Sequence, residues 1–139
     1  MKVLLIDDHP LILAALQSVI QGLGDNMVVS SASSGRTARE MLQNDSTFEL
    51  VLLDLGVPGG GVEACALLRA ARPDVRVVVM TQADDDADLA GAVRAGARGY
   101  LLKDTSPEEL VEALRAVAAG NSLLSPAMAA RLLDEFADR

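Results

Sequence analysis

Five short apolar runs punctuate the chain: Val3–Ile6, Met27–Val29, Leu50–Leu53, Val75–Met80 and Gly99–Leu102. Most are rich in leucine or β-branched residues and lack polar alternation, the pattern of strands covered on both faces. Between them the apolar positions shift to helical spacing. In the first such segment Ile12, Leu16, Val19, Ile20 and Leu23 fall on one stripe, with Gln17 and Gln21 facing away. In the fifth, Leu110, Val111, Leu114, Val117 and Ala118 form the stripe, and the start is marked by Ser106 as N-cap, Pro107 at the first helical position and Glu109 completing a capping box. The order is β-α repeated five times, which predicts an α/β domain with a parallel sheet, helices on both faces and right-handed crossovers. A sixth helix is expected after Ser125 as cap and Pro126, with Met128, Leu132 and Phe136 four apart, running to Asp138 and Arg139.

The residues that close the strands carry the chemistry. Strand one ends in Asp7 and Asp8, strand three in Asp54, strand four in Thr81 and strand five in Lys103. Open α/β sheets bind ligands outside the carboxyl ends of the strands, where strand order reverses. With strand one between strands two and three, all of these side chains meet in that crevice. Three carboxylates so close repel one another, and a hard, oxygen-preferring divalent ion, Mg²⁺ above all, resolves the conflict. Such an ion and Lys103 neutralise the charge of a transferring phosphoryl group, Thr81 donates a hydrogen bond to it, and Asp54 is the nucleophile, forming an aspartyl phosphate.

With these residues in place the chain resembles the receiver domains of two-component response regulators, specifically the NarL/FixJ family with its LuxR-type output. The matching stretches are Leu5-Ile6-Asp7-Asp8-His9-Pro10-Leu11, Leu52-Leu53-Asp54-Leu55 with Pro58, Met80-Thr81, and Ala95 through Asp104. The likeness runs from residue 2 to about residue 120. It implies a flavodoxin-like (βα)5 receiver with a five-stranded sheet of order 2-1-3-4-5 over residues 1–120, and a linker helix over residues 121–139 leading toward an absent DNA-binding domain. It also implies phosphoryl transfer from a sensor histidine kinase to Asp54, with Mg²⁺ held by Asp8, Asp54 and the backbone carbonyl of Gly56, Asp7 acting through water. Thr81 and Tyr100 are the implied switch pair, Thr81 moving to the phosphate and the Tyr100 ring turning inward. A homodimer on activation follows from the same likeness, and the single Cys65 makes a reducing, cytoplasmic setting the default expectation. Two departures stand out. Receivers carry a glycine eight positions after the phosphoacceptor, whereas here that position is Val62 and Gly61 sits one earlier, so the loop through Gly59-Gly60-Gly61 is one residue short. Gln82 stands where many receivers have a smaller residue, narrowing donor access.

Plainer readings stand beside these. Asp8 also serves as a helix cap, and both roles hold at once. His9, with no second histidine or nearby cysteine, reads as a loop residue and not a ligand. Cys65 reads as a small buried hydrophobe, Tyr100 as packing or a dimer face, and Asp84-Asp85-Asp86 as a solvated helix start. The segment Ala87–Ala95, with Gly91 in its middle, is a weak helix.

Composition narrows the partners. Twelve basic against 20 acidic residues give a net charge of −8, a field that repels nucleic acid and anionic membrane. The aromatics Phe48, Tyr100 and Phe136 offer no base-stacking platform. One cysteine excludes an internal disulfide and suits a reducing compartment. Met1-Lys2-Val3-Leu4-Leu5-Ile6 meets acids too soon for a signal peptide, and no apolar run approaches the ~20 residues that span a bilayer. Rival functions fare worse. An aspartyl phosphatase wants Asp-x-Asp after strand one, and a nucleotide-binding domain wants a phosphate-cradling loop where Asp7 and Asp8 would repel phosphate. The remaining alternatives are a receiver-like interaction module not controlled by phosphorylation and a stand-alone receiver without DNA-binding output. No independent enzymatic turnover is expected.

Overall fold

A computed structural model describes residues 1–23, 26–81, 86–122 and 126–137. The elements alternate as the apolar pattern requires: β1 (Lys2–Ile6), α1 (Pro10–Leu23), β2 (Val28–Ala32), α2 (Gly35–Asn44), β3 (Leu50–Asp54), α3 (Gly61–Ala71), β4 (Arg76–Thr81), α4 (Asp86–Arg94), β5 (Gly99–Leu102), α5 (Pro107–Ala118) and α6 (Pro126–Ala137). The five strands form one sheet in the order β2-β1-β3-β4-β5, with β1–β2, β1–β3, β3–β4 and β4–β5 all parallel. Register places Ile6 beside Leu53 and Asp54 beside Met80, so the strand ends carrying Asp7, Asp54 and Thr81 are level.

Because side chains alternate along a strand, the sheet feeds two cores. Val3, Leu5, Leu50, Leu52, Val78 and Met80 face α1 and α5, where Ile20, Leu110, Leu114 and Val117 close over them. Leu4, Ile6, Val51, Leu53, Val77 and Val79 face α2, α3 and α4. The α5 start is as its residues dictate: the Ser106 hydroxyl accepts from the Glu109 N–H at 3.2 Å, and Pro107 occupies the first turn.

Three expectations are corrected. The second strand is not Met27–Val29 but Val28–Ala32, with Met27 buried just before it. It is the sheet's edge strand, only partly covered on each face, so Ser30 and Ser31 are tolerated there and the apolar signal breaks off early. In α1, Leu23 is exposed and Ile20 alone is fully buried, with Leu13 and Leu16 packed beside it. Gln17 does not face away: its Nε2 donates to the Val29 carbonyl at 3.1 Å, tying α1 to the edge strand.

The shortened loop after Asp54 resolves at Gly61. A side chain there would meet the Leu55 Cα at 2.3 Å and its carbonyl oxygen at 2.5 Å, so the start of α3 crosses the Leu55 backbone at a distance only glycine permits. Gly60, at φ 94°, makes the turn into the helix. Val62 is thereby released to pack, and its methyls face Gly91 of α4. Gln82, Asp84, Asp85, the Ser125 cap and the chain end at Asp138 and Arg139 lie outside the described residues, as do the side chains of Asp86 and Met128. Among the described residues no helix is long and apolar enough to cross a membrane.

Candidate functional site

The level strand ends build the site. Asp54 is the last residue of β3 and 6% exposed, and Asp7 follows β1 at 2% exposed, its N–H bonded to the Ala32 carbonyl at 3.2 Å. Buried carboxylates need partners, and both receive them. The Lys103 ammonium lies 3.2 Å from Asp54 Oδ2 and 3.6 Å from Asp7 Oδ2. The Gly56 N–H donates to Asp54 Oδ1 at 3.1 Å, and the His9 N–H donates to Asp7 Oδ1 at 2.9 Å. Lys103 is itself positioned by β5 running out beside β4, where its N–H donates to the Thr81 carbonyl at 2.9 Å. Thr81 ends β4 and is buried.

A cavity of about 260 Å³ opens over these groups, lined by Asp54, Thr81, Lys103, Gly56, His9 and Asp88 among others. Gly56 is exposed at its rim, and a Cβ added there would sit 3.6 Å from both Asp54 oxygens. The small residue leaves the carboxylate open to an incoming group.

Asp7, Asp8 and Asp54, together with His9, each present one ligand atom within 4.8 Å of the others. Oxygen donors from three carboxylates suit a hard divalent ion that keeps several waters, as Mg²⁺ does. The donor set therefore fits the metal that the acids call for. His9 is the residue that sequence reasoning set aside: its Nδ1 lies 2.7 Å from Asp7 Oδ1 and 3.1 Å from Asp8 Oδ1. The hydrogen bond to Asp7, then the charge of Asp8, raise its pKa above the ordinary imidazole value. Nothing in the spacing marks it, since a lone loop histidine one residue before a helix is common. Tyr100, expected from the sequence as the second switch residue, stands apart from this cluster. It is buried on β5 in the core shared with Leu89 and Ala92 of α4, so the inward position is the one described.

The chain's likenesses agree with this arrangement. The sequence model of the response regulator receiver domain family matches residues 3–115. The nitrate/nitrite response regulator protein NarL of Escherichia coli K12 is 39% identical over 127 residues, covering 91% of this chain and 58% of that protein. The response regulator GacA of Pseudomonas aeruginosa is 36% identical over 132 residues, covering 94% of this chain and 61% of that protein. The chain thus spans about three fifths of the length of these curated relatives. Among solved structures, a LuxR-family two-component response regulator from Aurantimonas sp. SI85-9A1 superposes with a TM-score of 0.86 at 30% identity, covering 98% of this chain and 97% of that one.

Proposed function

This chain belongs to the response regulator receiver family, whose members are signalling domains, and from that premise we propose that Asp54 is its phosphoacceptor. The observation that carries the reading is the convergence of Asp7, Asp8 and Asp54 with Lys103 at the carboxyl ends of the strands. A sensor histidine kinase is the proposed donor. An Asp54 oxygen attacks the phosphorus of a phosphohistidine, the P–O bond forms as the P–N bond breaks, and the electron pair leaves with the imidazole nitrogen. The Gly56 N–H holds the attacking carboxylate in orientation. Lys103 pairs with the carboxylate before transfer and with a phosphoryl oxygen after it, and the Thr81 hydroxyl donates to a second. Asp7, Asp8, Asp54 and the Gly56 carbonyl are the proposed Mg²⁺ site, and the bound ion would offset the phosphoryl charge.

Thr81 and Tyr100 are the proposed switch. Residues 1–120 are proposed as the receiver and residues 121–139 as a linker toward a DNA-binding domain, in a regulator that pairs on activation and acts on transcription in the cytoplasm. With a charge of −8 this segment itself is not proposed to touch nucleic acid.

The test is direct. With Mg²⁺ and acetyl phosphate, intact mass should show one added phosphoryl group, stable in acid and labile in base. Asp54→Asn should abolish it, because an amide supplies no carboxylate nucleophile. Equal labelling of that variant would move the acceptor elsewhere.

A further inference from the structure

Beside its core packing through Leu89 and Ala92, three further sets of contacts hold α4. Its first turn contributes Asp88 to the wall of the cavity that Asp54, Thr81 and Lys103 share. Its middle rests on α3, where Val62 Cγ1 and Cγ2 lie 3.3 Å from the place a Cβ on Gly91 would take. Its last turn meets α6, where the Arg94 guanidinium sits 5.0 Å from the centre of the Phe136 ring. The neighbouring Leu132 packs against the core that contains Leu89, Ala92 and Tyr100. The next residue, Leu133, is 69% exposed, so α6 turns one apolar side inward. Of all the elements, α4 is the one α6 chiefly touches.

This places a weak helix between the candidate phosphorylation site and the last helix of the chain. Gly91 lowers the helical drive of α4, which leaves its position to be set by what packs on it. Spanning nine residues, and so only about 14 Å long at ~1.5 Å per residue, α4 cannot absorb a push at one end without moving the other. We infer that α6 is a latch seated on α4 through Arg94, Phe136 and Leu132, and that phosphorylation of Asp54 unseats it. The inference rests on the reading of Asp54 as phosphoacceptor. Phosphorylation replaces the single charge of the Asp54 carboxylate with a phosphoryl group of nearly two, in a cavity that Asp88 also lines, and the added negative charge drives the first turn of α4 outward. Because Tyr100 and Leu132 share one core, displacement of α4 disturbs both the proposed switch residue and the seat of α6. The coupling runs both ways: a seated α6 opposes phosphorylation as much as phosphorylation opposes the seat.

Cysteines introduced by Glu112→Cys on α5 and Asp134→Cys on α6, both exposed positions, allow spin labelling in the full chain. Native Cys65 stays unlabelled, since burial pushes its thiol up to about 11. The interlabel distance should shift and broaden when Mg²⁺ and beryllofluoride are added, with loading checked by fluorine resonance and phosphorylation of the same protein by intact mass. In the unlabelled chain, Phe136→Ala should tighten beryllofluoride binding in the presence of Mg²⁺ roughly two- to fivefold, the factor a lost cation–π contact allows. Phe136→Leu, which keeps the apolar contact, should fall between. If the wild type takes no phosphoryl group, the Asp54 reading fails and the latch falls with it. If it is phosphorylated, but the loaded protein keeps its α5–α6 distance or Phe136→Ala keeps the wild-type affinity for beryllofluoride, the latch alone is wrong.

Discussion

Lys103 holds together two buried acids that would otherwise repel each other, lying 3.2 Å from Asp54 and 3.6 Å from Asp7. Removing the cation leaves Asp54 without its nearest countercharge and Asp7 with His9 as its nearest cationic partner, the costly half of breaking a buried pair. Lys103→Met should therefore lower the stability of the metal-free protein by about 2–3 kcal/mol, read by urea denaturation. Mg²⁺ should recover part of that loss in the variant, because it supplies positive charge to the same oxygens. A variant as stable as the wild type would show that the acids are compensated from elsewhere. At this scale much of the site was legible in the sequence. Asp7, Asp54, Thr81 and Lys103 each end or follow an apolar run, and a parallel sheet brings such residues together whatever the details of packing. His9 was not legible, because its contact with Asp7 and Asp8 depends on how the loop into α1 turns. The place of Gly61 could be read only as an odd glycine, since the sequence does not display the Leu55 backbone that it must clear.

Elements whose start is written in adjacent residues were the most readable. Ser106, Pro107 and Glu109 mark α5, and its stripe is buried as the spacing requires. Edge and surface elements were harder. In β2 the apolar signal stops at Val29, while the strand runs on through Ser30 and Ser31, because a strand at the sheet's edge is only partly covered on each face, with Val29 and Ala32 its buried residues. The ties between elements are harder still, since they join residues far apart in the chain. Arg72, just past α3, is the clearest of them. Its Nη1 donates to the carbonyls of Leu42 and Asp45 at 3.0 and 3.1 Å, its Nη2 to that of Phe48 at 3.0 Å, and Asp74 steadies the guanidinium. One planar fork thus satisfies the end of α2 and the approach to β3. Arg72→Ala should cost about 2 kcal/mol, as several carbonyls lose a charged donor together. Arg72→Lys should recover little of it, since a single ammonium cannot span the same acceptors. Thermal or urea unfolding of the two variants reads the difference, and a lysine as good as arginine would show that charge alone matters at this joint.

At the scale of the whole molecule, topology and charge carry different messages. The order β2-β1-β3-β4-β5 places β1 and β3 side by side and level, which is why acids far apart in sequence meet. Counting βα units gives the parallel sheet, and the family resemblance implies its order. The net charge of −8 says nothing about the fold, but it governs how two copies approach. Pairing on activation, proposed here for the phosphorylated state, must bring two strongly acidic bodies into contact, and long-range repulsion between them opposes it. Salt screens that repulsion: the Debye length falls from about 30 Å at 0.01 M to about 8 Å at 0.15 M ionic strength. An interface closed by apolar packing would lose little to the added ions, whereas one held by exposed ion pairs would lose its attraction along with the repulsion. Sedimentation of the beryllofluoride-loaded protein should therefore show a dimer fraction that grows between 0.01 and 0.15 M NaCl at constant Mg²⁺. The metal-bound protein without the mimic should stay monomeric throughout. A dimer that weakens steadily as salt rises would mean that specific ion pairs outweigh the net charge at the contact, and the apolar account of pairing would have to be given up.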